Sequence, residues 1–239
     1  MSASGPYLSV VIPAYNEEGR LGPTLARVKE YLAAQTYTSD ILVVNNASRD
    51  RTSEVARAAG VPVIDEPRRG KGAAVRTGML AARGEYVLFS DADLSTPIEE
   101  VEKLLDRLQE GYDIAIASRG LPESNIVKHQ PWYREIVGRF GNLVVRVLAV
   151  RGIADTQCGF KLFPREVAQR LFRVARLTGA AFDVEILFIA QRLGLRIAEV
   201  PVTWVDSPDT RFNRVTDSLD ALKDLVRIRV NWVLGRYRV

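Results

Sequence analysis

The chain has 239 residues, 47% of them hydrophobic and 26% charged, which suits one large α/β domain with a substantial core. A single cysteine, Cys158, excludes an intramolecular disulfide framework, and a single histidine, His129, excludes a multi-histidine zinc site. The formal net charge of +4 is modest, and no stretch reaches the roughly eighteen apolar residues that a membrane-spanning helix needs. We therefore expect one soluble domain over residues 1–239.

Apolar runs of strand length alternate with segments of helical periodicity, which is typical of a three-layer α/β fold with a mainly parallel sheet and helices on both faces. The predicted strands cover residues 8–12, 41–44, 61–64, 86–90 and 112–117. The predicted helices begin near residue 21 and then cover residues 50–59, 73–82 and 98–109. Because ligands bind at the carboxyl ends of parallel strands, the polar residues that follow these strands are the candidate site.

The segment GEYVLFSDADLSTP at residues 84–97 carries the strongest signal, because an apolar strand ends there at two carboxylates, Asp91 and Asp93. If the backbone stays extended through Asp93, both side chains project from one side. Mg²⁺ or Mn²⁺ held by one or two carboxylates keeps open positions for phosphate oxygens. The pattern therefore predicts a divalent metal site that binds a diphosphate.

The alternative for either aspartate is that it caps the next helix. Thr96, Pro97 and Glu99 have the spacing of a capping box, so that role is assigned to Thr96 instead.

Two familiar nucleotide-binding loops are absent from the sequence. The first predicted strand is followed by PAYNEE instead of Gly-x-Gly-x-x-Gly, and RGKGA at residues 69–73 lacks the spacing of a phosphate-binding Walker loop. These observations exclude a dinucleotide dehydrogenase and a P-loop enzyme.

Four segments, SVVIPAYNEE, VVNNASRDRT, RGKGAAVRTGM and the strand that ends in DAD, resemble the family 2 inverting glycosyltransferases with the GT-A fold. ADTQCGFKLF, AFDVEILFIAQ and AEVPVTWVD are similar to segments of the dolichyl-phosphate β-glucosyltransferases and their prokaryotic relatives. The resemblance implies a nucleotide-sugar half at about 7–120 and an acceptor half at about 121–239 that ends in a basic amphipathic helix. The eukaryotic enzymes carry an N-terminal membrane anchor without a counterpart in this sequence, so the expectation is a peripheral protein at the cytoplasmic membrane face.

By this resemblance, Pro13, Ala14, Tyr15 and Glu17 wrap the nucleoside. Tyr15 offers a stacking face and Glu17 a hydroxyl acceptor. Core packing is the alternative for Tyr15.

Asn45 and Asn46 occupy the position where many family members have two aspartates. An amide offers one acceptor and one donor, which suits the N3–H and carbonyl of uracil, whereas an ionised aspartate suits guanine. Asn46 therefore favours UDP over GDP, and Asn45 is expected to shape the turn that follows.

Lys71 and Lys161 are placed by similarity to meet the diphosphate, where a cation offsets charge on the leaving group. Lys161 is preferred, since a solvent-exposed role is equally consistent for Lys71. Ala92 is expected to contact the nucleotide sugar together with Asp91 and Asp93.

Asp155, Gln157 and Glu185 are expected to line the sugar pocket, where hydroxyls need fixed donors and acceptors. A helix-capping role is the alternative for Asp155 and Asp183.

A phosphate monoester acceptor is anionic at neutral pH and needs no general base. Arg119 and Arg134 match positions that hold the acceptor phosphate in related polyprenyl-phosphate transferases, and a guanidinium suits that geometry. Arg139 is a further candidate, and a surface position is the alternative for all three.

Two segments have apolar residues at helical spacing among basic ones and are candidates for contact with an anionic membrane surface. Packing against the sheet is the alternative for both. Their apolar positions are Phe140, Leu143, Val144, Val147 and Leu148 in the first, and Leu219, Leu222, Val226, Val230 and Val233 in the second.

The expected function is metal-dependent transfer of glucose from UDP-glucose to a polyprenyl or dolichyl phosphate with inversion. The alternatives are a GDP-mannose donor, a soluble hydroxyl acceptor with Asp183 or Glu185 as base, a sugar-1-phosphate nucleotidyltransferase, or a non-catalytic nucleotide-sugar sensor. No nucleic-acid partner is expected.

Overall fold

The computed structural model describes residues 5–128, 150–205 and 214–238. The strands are β1 (Leu8–Ala14), β2 (Ser39–Asn45), β3 (Val63–Asp65), β4 (Tyr86–Ser90), β5 (Ile114–Ser118), β6 (Asn125–Lys128), β7 (Phe160–Pro164), β8 (Ile197–Pro201) and β9 (Thr203–Val205). The α-helices are α1 (Leu21–Ala33), α2 (Thr52–Ala58), α3 (Lys71–Ala81), α4 (Val101–Gln109), α5 (Arg165–Val174), α6 (Phe182–Arg192) and α7 (Arg214–Val233).

Seven strands form one sheet in the order β3-β2-β1-β4-β7-β5-β8. Strand β7 runs antiparallel to its neighbours β4 and β5, and the other pairs are parallel. The mainly parallel sheet that the sequence predicts is confirmed. Strands β6 and β9 form a separate parallel pair.

Helices cover both faces of the sheet, which explains why β1 is apolar at nearly every position and buried at all seven. Successive side chains of a strand point to opposite faces, so Val11 packs with α3, α5 and α6, whereas Val10 and Ile12 pack with α1 and α4. This three-layer arrangement leaves the strand ends as the place where polar side chains meet.

Most predicted elements agree with the structure to within about two residues at each end, and β4 has the predicted bounds. The helix predicted over 98–109 begins as a 3₁₀ turn, Ile98–Glu100, before α4.

The predicted capping box is wrong. No side chain caps the 3₁₀ turn or α4. The Thr96 hydroxyl instead lies 3.6 Å from the Cys158 sulfur, and Glu99 pairs with Arg27.

Candidate active site

Polar residues meet where β1, β2, β4 and β5 end, as predicted. Because β7 is antiparallel, it begins at this same edge, and its first residue, Phe160, pairs with Ser90 at the end of β4. The segment that leads into β7 therefore lies beside Asp91, whose backbone N–H donates to the carbonyl of Gly159 at 3.0 Å. The antiparallel strand thus joins two motifs that are about seventy residues apart in the sequence.

Asp91 forms an ion pair with Lys71, the first residue of α3. The ammonium nitrogen lies 2.7 Å from Oδ1 and 2.9 Å from Oδ2, and both side chains are about one-third exposed. Burial by itself lowers the pKa of Lys71, but attraction to Asp91, Asp183 and Asp93 outweighs it and the pKa is raised. The carboxylate of Asp91 is therefore already arranged to hold a cation.

Asp93 follows in a turn and not in an extended strand, so the expected extension of β4 through Asp93 is wrong. Strand β4 ends at Ser90, and Leu94 has a φ of +47°. One carboxylate oxygen of Asp93 accepts the backbone N–H of Ser95 at 3.0 Å, and the side chain is partly exposed. Ala92, between Asp91 and Asp93, is buried, and its carbonyl accepts a hydrogen bond from the Thr24 hydroxyl at 2.7 Å.

Within the described residues, no group of three or more acidic, histidine or cysteine side chains is arranged to hold a metal ion. Mg²⁺ and Mn²⁺ nevertheless bind through one or two carboxylates when substrate phosphates complete the shell. Asp91, partly exposed and holding a lysine ammonium, and Asp93, partly exposed one residue later, fit that donor set.

Lys161 lies beside this pair but is 2% exposed, and its ammonium donates to the carboxylate of Asp183 and, at 2.6 Å, to the carbonyl of Cys158. Burial raises the pKa of Asp183 despite the opposing attraction of Lys161 and Lys71. The ammonium nitrogens of Lys71 and Lys161 lie 5.3 Å and 5.7 Å from the centre of the Phe89 ring. The preference for Lys161 over Lys71 as the diphosphate contact is thus corrected, because Lys161 is enclosed by protein groups.

Arg119 and Asp155 form a second ion pair at this edge of the sheet. The guanidinium Nε and Nη2 donate to the two oxygens of Asp155 at 2.6 Å and 2.9 Å, and the backbone N–H of Gln157 donates to Asp155 at 3.1 Å. Burial opposes ionisation of Asp155, but Arg119 outweighs it and lowers the pKa to about 2. The Gln157 side chain is exposed, while Asp155 is 3% exposed and anchors the loop.

Asn46 has a structural role that the sequence did not predict. Its amide nitrogen donates to the carbonyls of Glu66 and Arg68, at 3.2 Å and 2.7 Å, and its oxygen accepts the N–H of Gly70 at 2.8 Å. Asn46 therefore holds the loop that leads to Lys71, and its contact with a base stays a prediction. Asn45 accepts the N–H of Ser48 at 3.2 Å, which confirms its predicted role in the turn.

The nucleoside segment follows β1. Pro13 and Ala14 are buried within the strand, and the Tyr15 ring, 37% exposed, lies 5.7 Å from the guanidinium carbon of Arg69. Core packing is thus not the role of Tyr15. The Glu17 carboxylate pairs with Arg20, with Nη2 at 2.7 Å from Oε1.

Glu185 does not line the site, and that expectation is corrected. Its side chain is fully buried, and its carboxylate accepts the backbone N–H groups of Arg176 and Leu177 and the Tyr237 hydroxyl, the last at 2.6 Å. Burial raises the pKa of Glu185, although these hydrogen bonds oppose the rise. Glu185 fastens the chain after α5 to the C-terminal segment.

Arg134, Arg139 and the apolar positions of the first predicted membrane-contact helix lie outside the described residues.

Sequence reasoning missed Glu66 and Glu199. Glu66 follows β3, binds Arg68 and Thr77 and has its pKa lowered to about 2, chiefly by Arg68. Glu199, in β8, accepts the backbone N–H groups of Ala154 and Asp155 at 2.8 Å and 3.0 Å. An acidic residue at a strand end was the available signal for Glu66, whereas Glu199 lies in an alternating strand without a distinguishing pattern.

A mainly parallel sheet flanked by helices, with an acidic motif after β4, is the arrangement that the sequence resemblance implies for a GT-A glycosyltransferase. The model of Glycosyl transferase family 2 matches residues 9–172, and the chain belongs to this family.

Among curated relatives, a dolichyl-phosphate β-glucosyltransferase from Mus musculus is 39% identical over 97% of this chain and 78% of the relative. The protein of the same name from Dictyostelium discoideum is 35% identical over 98% of this chain and 77% of the relative.

Solved structures show the same fold. Glucosyl-3-phosphoglycerate synthase from Mycobacterium tuberculosis, crystallised with Mn²⁺, UDP and glucosyl-3-phosphoglycerate, is 24% identical with a TM-score of 0.67, over 97% of this chain and 80% of that one. Mannosyl-3-phosphoglycerate synthase from Rubrobacter xylanophilus is 22% identical with a TM-score of 0.72, over 97% of this chain and 75% of that one.

Proposed function

We propose that this chain transfers glucose from UDP-glucose to a dolichyl or polyprenyl phosphate with inversion, producing a β-linked lipid phosphosugar. One observation carries the proposal: relatives at 35–39% identity over nearly the whole chain bear the name dolichyl-phosphate β-glucosyltransferase. The proposed donor also agrees with the UDP-glucose and Mn²⁺ present in a solved structure of the same fold.

On the donor side, Asp91 and Asp93 would hold Mg²⁺ or Mn²⁺, which when bound neutralises diphosphate charge and so favours departure of UDP. Lys71 is the cation best placed to bind the diphosphate, since its ammonium is partly exposed and lies at the Asp91 carboxylate. Tyr15 offers an exposed ring for the base, and Gln157 an exposed amide for the sugar.

On the acceptor side, the available carboxylates favour a phosphate over a hydroxyl. Both residues considered as a general base are buried and already hydrogen-bonded, Asp183 to Lys161 and Glu185 to backbone N–H groups. A phosphate acceptor needs no base because it is already ionised. Arg119 donates to the Asp155 carboxylate through Nε and Nη2. Its Nη1 can therefore contact the acceptor phosphate while the ion pair with Asp155 is kept.

The test is a panel of nucleotide sugars incubated with the full chain, Mn²⁺ and a short-chain polyprenyl phosphate, with products identified by mass spectrometry. We expect a hexosyl lipid phosphate from UDP-glucose and none from GDP-mannose. Any product formed by the Asp91→Asn variant, which lacks one proposed metal ligand, measures the background activity of the preparation. Product from GDP-mannose alone would contradict the proposed donor, and turnover only with hydroxyl acceptors would contradict the acceptor.

Peripheral membrane contact is part of this proposal. No helix in the described portion of the chain is long and apolar enough to cross a membrane. In α7, Leu225 and Ile228 are buried, whereas Val226, Val230 and Val233 are 57%, 46% and 83% exposed. These three valines lie on one outward helix face in a basic segment, an arrangement that favours an anionic bilayer surface.

Liposome flotation tests this contact. We expect the full chain to float with anionic vesicles more than with neutral ones, and Val230→Asp to reduce flotation. Val127→Asp is the matched control, since Val127 is 60% exposed and belongs to β6 and not to α7. Equal flotation of wild type and Val230→Asp would remove α7 from the proposal.

A further inference from the structure

A cavity of about 290 Å³ lies outside the candidate active site, between the start of α3, the segment 175–178 and the end of α7. None of the predicted site residues lines it. Half of its ten lining residues are arginines: Arg68, Arg76, Arg176, Arg227 and Arg236. Residues from 175 onward also lie beyond the part of the chain that the family model matches.

Four of the five arginines lack a carboxylate partner among the described residues. Arg68 is the exception, since its guanidinium pairs with Glu66 through Nη2 at 2.8 Å. Arg76 donates to the carbonyl of Phe172 at 2.8 Å, which leaves its charge uncompensated.

Two of the remaining arginines also contact neutral groups. Arg176 donates to the carbonyl of Arg236 at 3.3 Å, and Arg236 donates to the amide oxygen of Asn231 at 3.0 Å. Arg227 is exposed and makes no hydrogen bond or ion pair within the described residues. The positive charge of the cavity is therefore available to a ligand.

Two carboxylates on neighbouring segments, Glu185 and Asp224, do not line the cavity. The Glu185 carboxylate is enclosed by the N–H groups of Arg176 and Leu177 and the hydroxyl of Tyr237. Asp224 lies towards Gly179, where a Cβ would be 3.8 Å from its Oδ2. The lining itself thus carries one sign of charge.

We propose that this arginine-lined cavity binds a small anion with one or more phosphate groups, at a site separate from the donor site. Guanidinium groups bind phosphate oxygens through paired, charge-assisted hydrogen bonds. A recess lined by one sign of charge also raises the local concentration of the opposite ion. The proposal does not depend on the proposed transferase activity.

The loop 68–72 separates the cavity from the donor site. Gly70 and Gly72 pack so closely on the segment 177–179 that a Cβ would lie 2.2 Å from the Thr178 carbonyl and 2.7 Å from that of Leu177, respectively. Lys71, between the two glycines, directs its ammonium to Asp91 and does not line the cavity. A variant at Lys71 therefore removes a charge from the donor site and none from the lining of the cavity.

The test is calorimetric titration of inorganic pyrophosphate into the full chain, with a chelator present so that no metal draws the probe to Asp91. We expect Arg227→Gln to weaken binding about tenfold or more, as for loss of one charge-assisted hydrogen bond. Arg170→Gln is the matched control, because Arg170 is an exposed helical arginine that does not line the cavity. Lys71→Gln separates the two sites: binding that occurs in the cavity should persist in this variant, whereas any binding at the donor site should be lost.

Two results would overturn the proposal. One is absence of pyrophosphate binding to the wild-type chain. The other is binding that Lys71→Gln abolishes and Arg227→Gln leaves intact, since the probe would then occupy only the donor site. Thermal unfolding of each variant verifies that the fold is retained.

A competition arm identifies the source of the phosphate. Phosphatidylcholine vesicles with and without phosphatidic acid are added to the complex with pyrophosphate. Displacement by the anionic vesicles alone supports a lipid headgroup, which the neighbouring apolar face of α7 would favour. Retention of pyrophosphate supports a free phosphorylated compound.

Discussion

Two lysine–aspartate pairs flank Phe89 and differ mainly in exposure. The side chains of Lys71 and Asp91 are 35% and 34% exposed, whereas those of Lys161 and Asp183 are 2% and 4% exposed. A pair that water reaches contributes little to stability and exchanges partners readily. A buried pair is costly to break, because the remaining charge loses its only compensation. The buried pair joins β7 to α6, whereas the exposed pair is accessible to a ligand.

The largest effect is expected at the buried pair. Lys161→Met leaves the Asp183 carboxylate without its counter-ion and should lower the free energy of unfolding by about 3–5 kcal/mol, measured by urea denaturation. The double variant Lys161→Met/Asp183→Leu should recover most of that loss, because an apolar pair carries no uncompensated charge. A loss below about 1 kcal/mol in the single variant would place this pair in the same class as an exposed one.

The next largest effect is expected on turnover at the exposed pair. Asp91→Asn removes a carboxylate that would hold the metal, so kcat should fall by about 10²–10³-fold. Stability should change by less than about 1 kcal/mol, since Lys71 remains hydrated. Asp106→Asn, in α4 and exposed, is the control for a carboxylate lost elsewhere. Full turnover of Asp91→Asn would contradict the metal site.

A variant at Lys71 is the next test, because the Lys71 ammonium binds the Asp91 carboxylate that would hold the metal. Lys71→Met should reduce turnover by about 10–100-fold through loss of a charged hydrogen bond to the diphosphate. The same variant should bind Mn²⁺ more tightly in the absence of nucleotide, because no ammonium competes for Asp91. Electron paramagnetic resonance of free Mn²⁺ measures this affinity. Weaker Mn²⁺ binding would show that Lys71 does not compete with the metal.

The Arg119–Asp155 pair is expected to give the smallest effect, which depends on pH. The pKa of Asp155 falls from 3.8 to about 2 on folding, so its ionised form stabilises the native state above pH 3.8. That contribution, about 2 kcal/mol, is lost as the pH falls towards 2. Asp155→Asn should therefore be less stable than wild type at neutral pH, and the difference should shrink in acid. A stability difference between Asp155→Asn and wild type that does not change with pH would contradict the lowered pKa of Asp155.

The sequence was sufficient to predict the first five strands of the sheet and the edge at which the candidate site lies, but not β7 or β8. The alternation of apolar runs and helical segments predicted strands β1 to β5 in order, and Asp91 lies at the end of β4 as expected. Hydrophobic periodicity is a local property of the sequence, so it predicts secondary structure without knowledge of tertiary contacts.

The roles of individual charged residues required the structure. Lys161 and Lys71 each follow a glycine within two residues in the sequence, but Lys161 is 2% exposed and Lys71 is partly exposed. The sequence alone assigns Glu185 to the sugar pocket, because nothing in it shows that the Tyr237 hydroxyl binds the Glu185 carboxylate. Partners distant in sequence decide whether a charge is exposed, and spacing along the chain does not reveal them.

Gly159 has a practical consequence for work with this protein. A Cβ at this position would lie 1.9 Å from Oδ2 of Asp91, so any side chain must push that carboxylate aside. We therefore expect Gly159→Ala to displace the Asp91 carboxylate while keeping every ionisable group of the native chain. Such a form would serve as a charge-matched reference in complementation experiments.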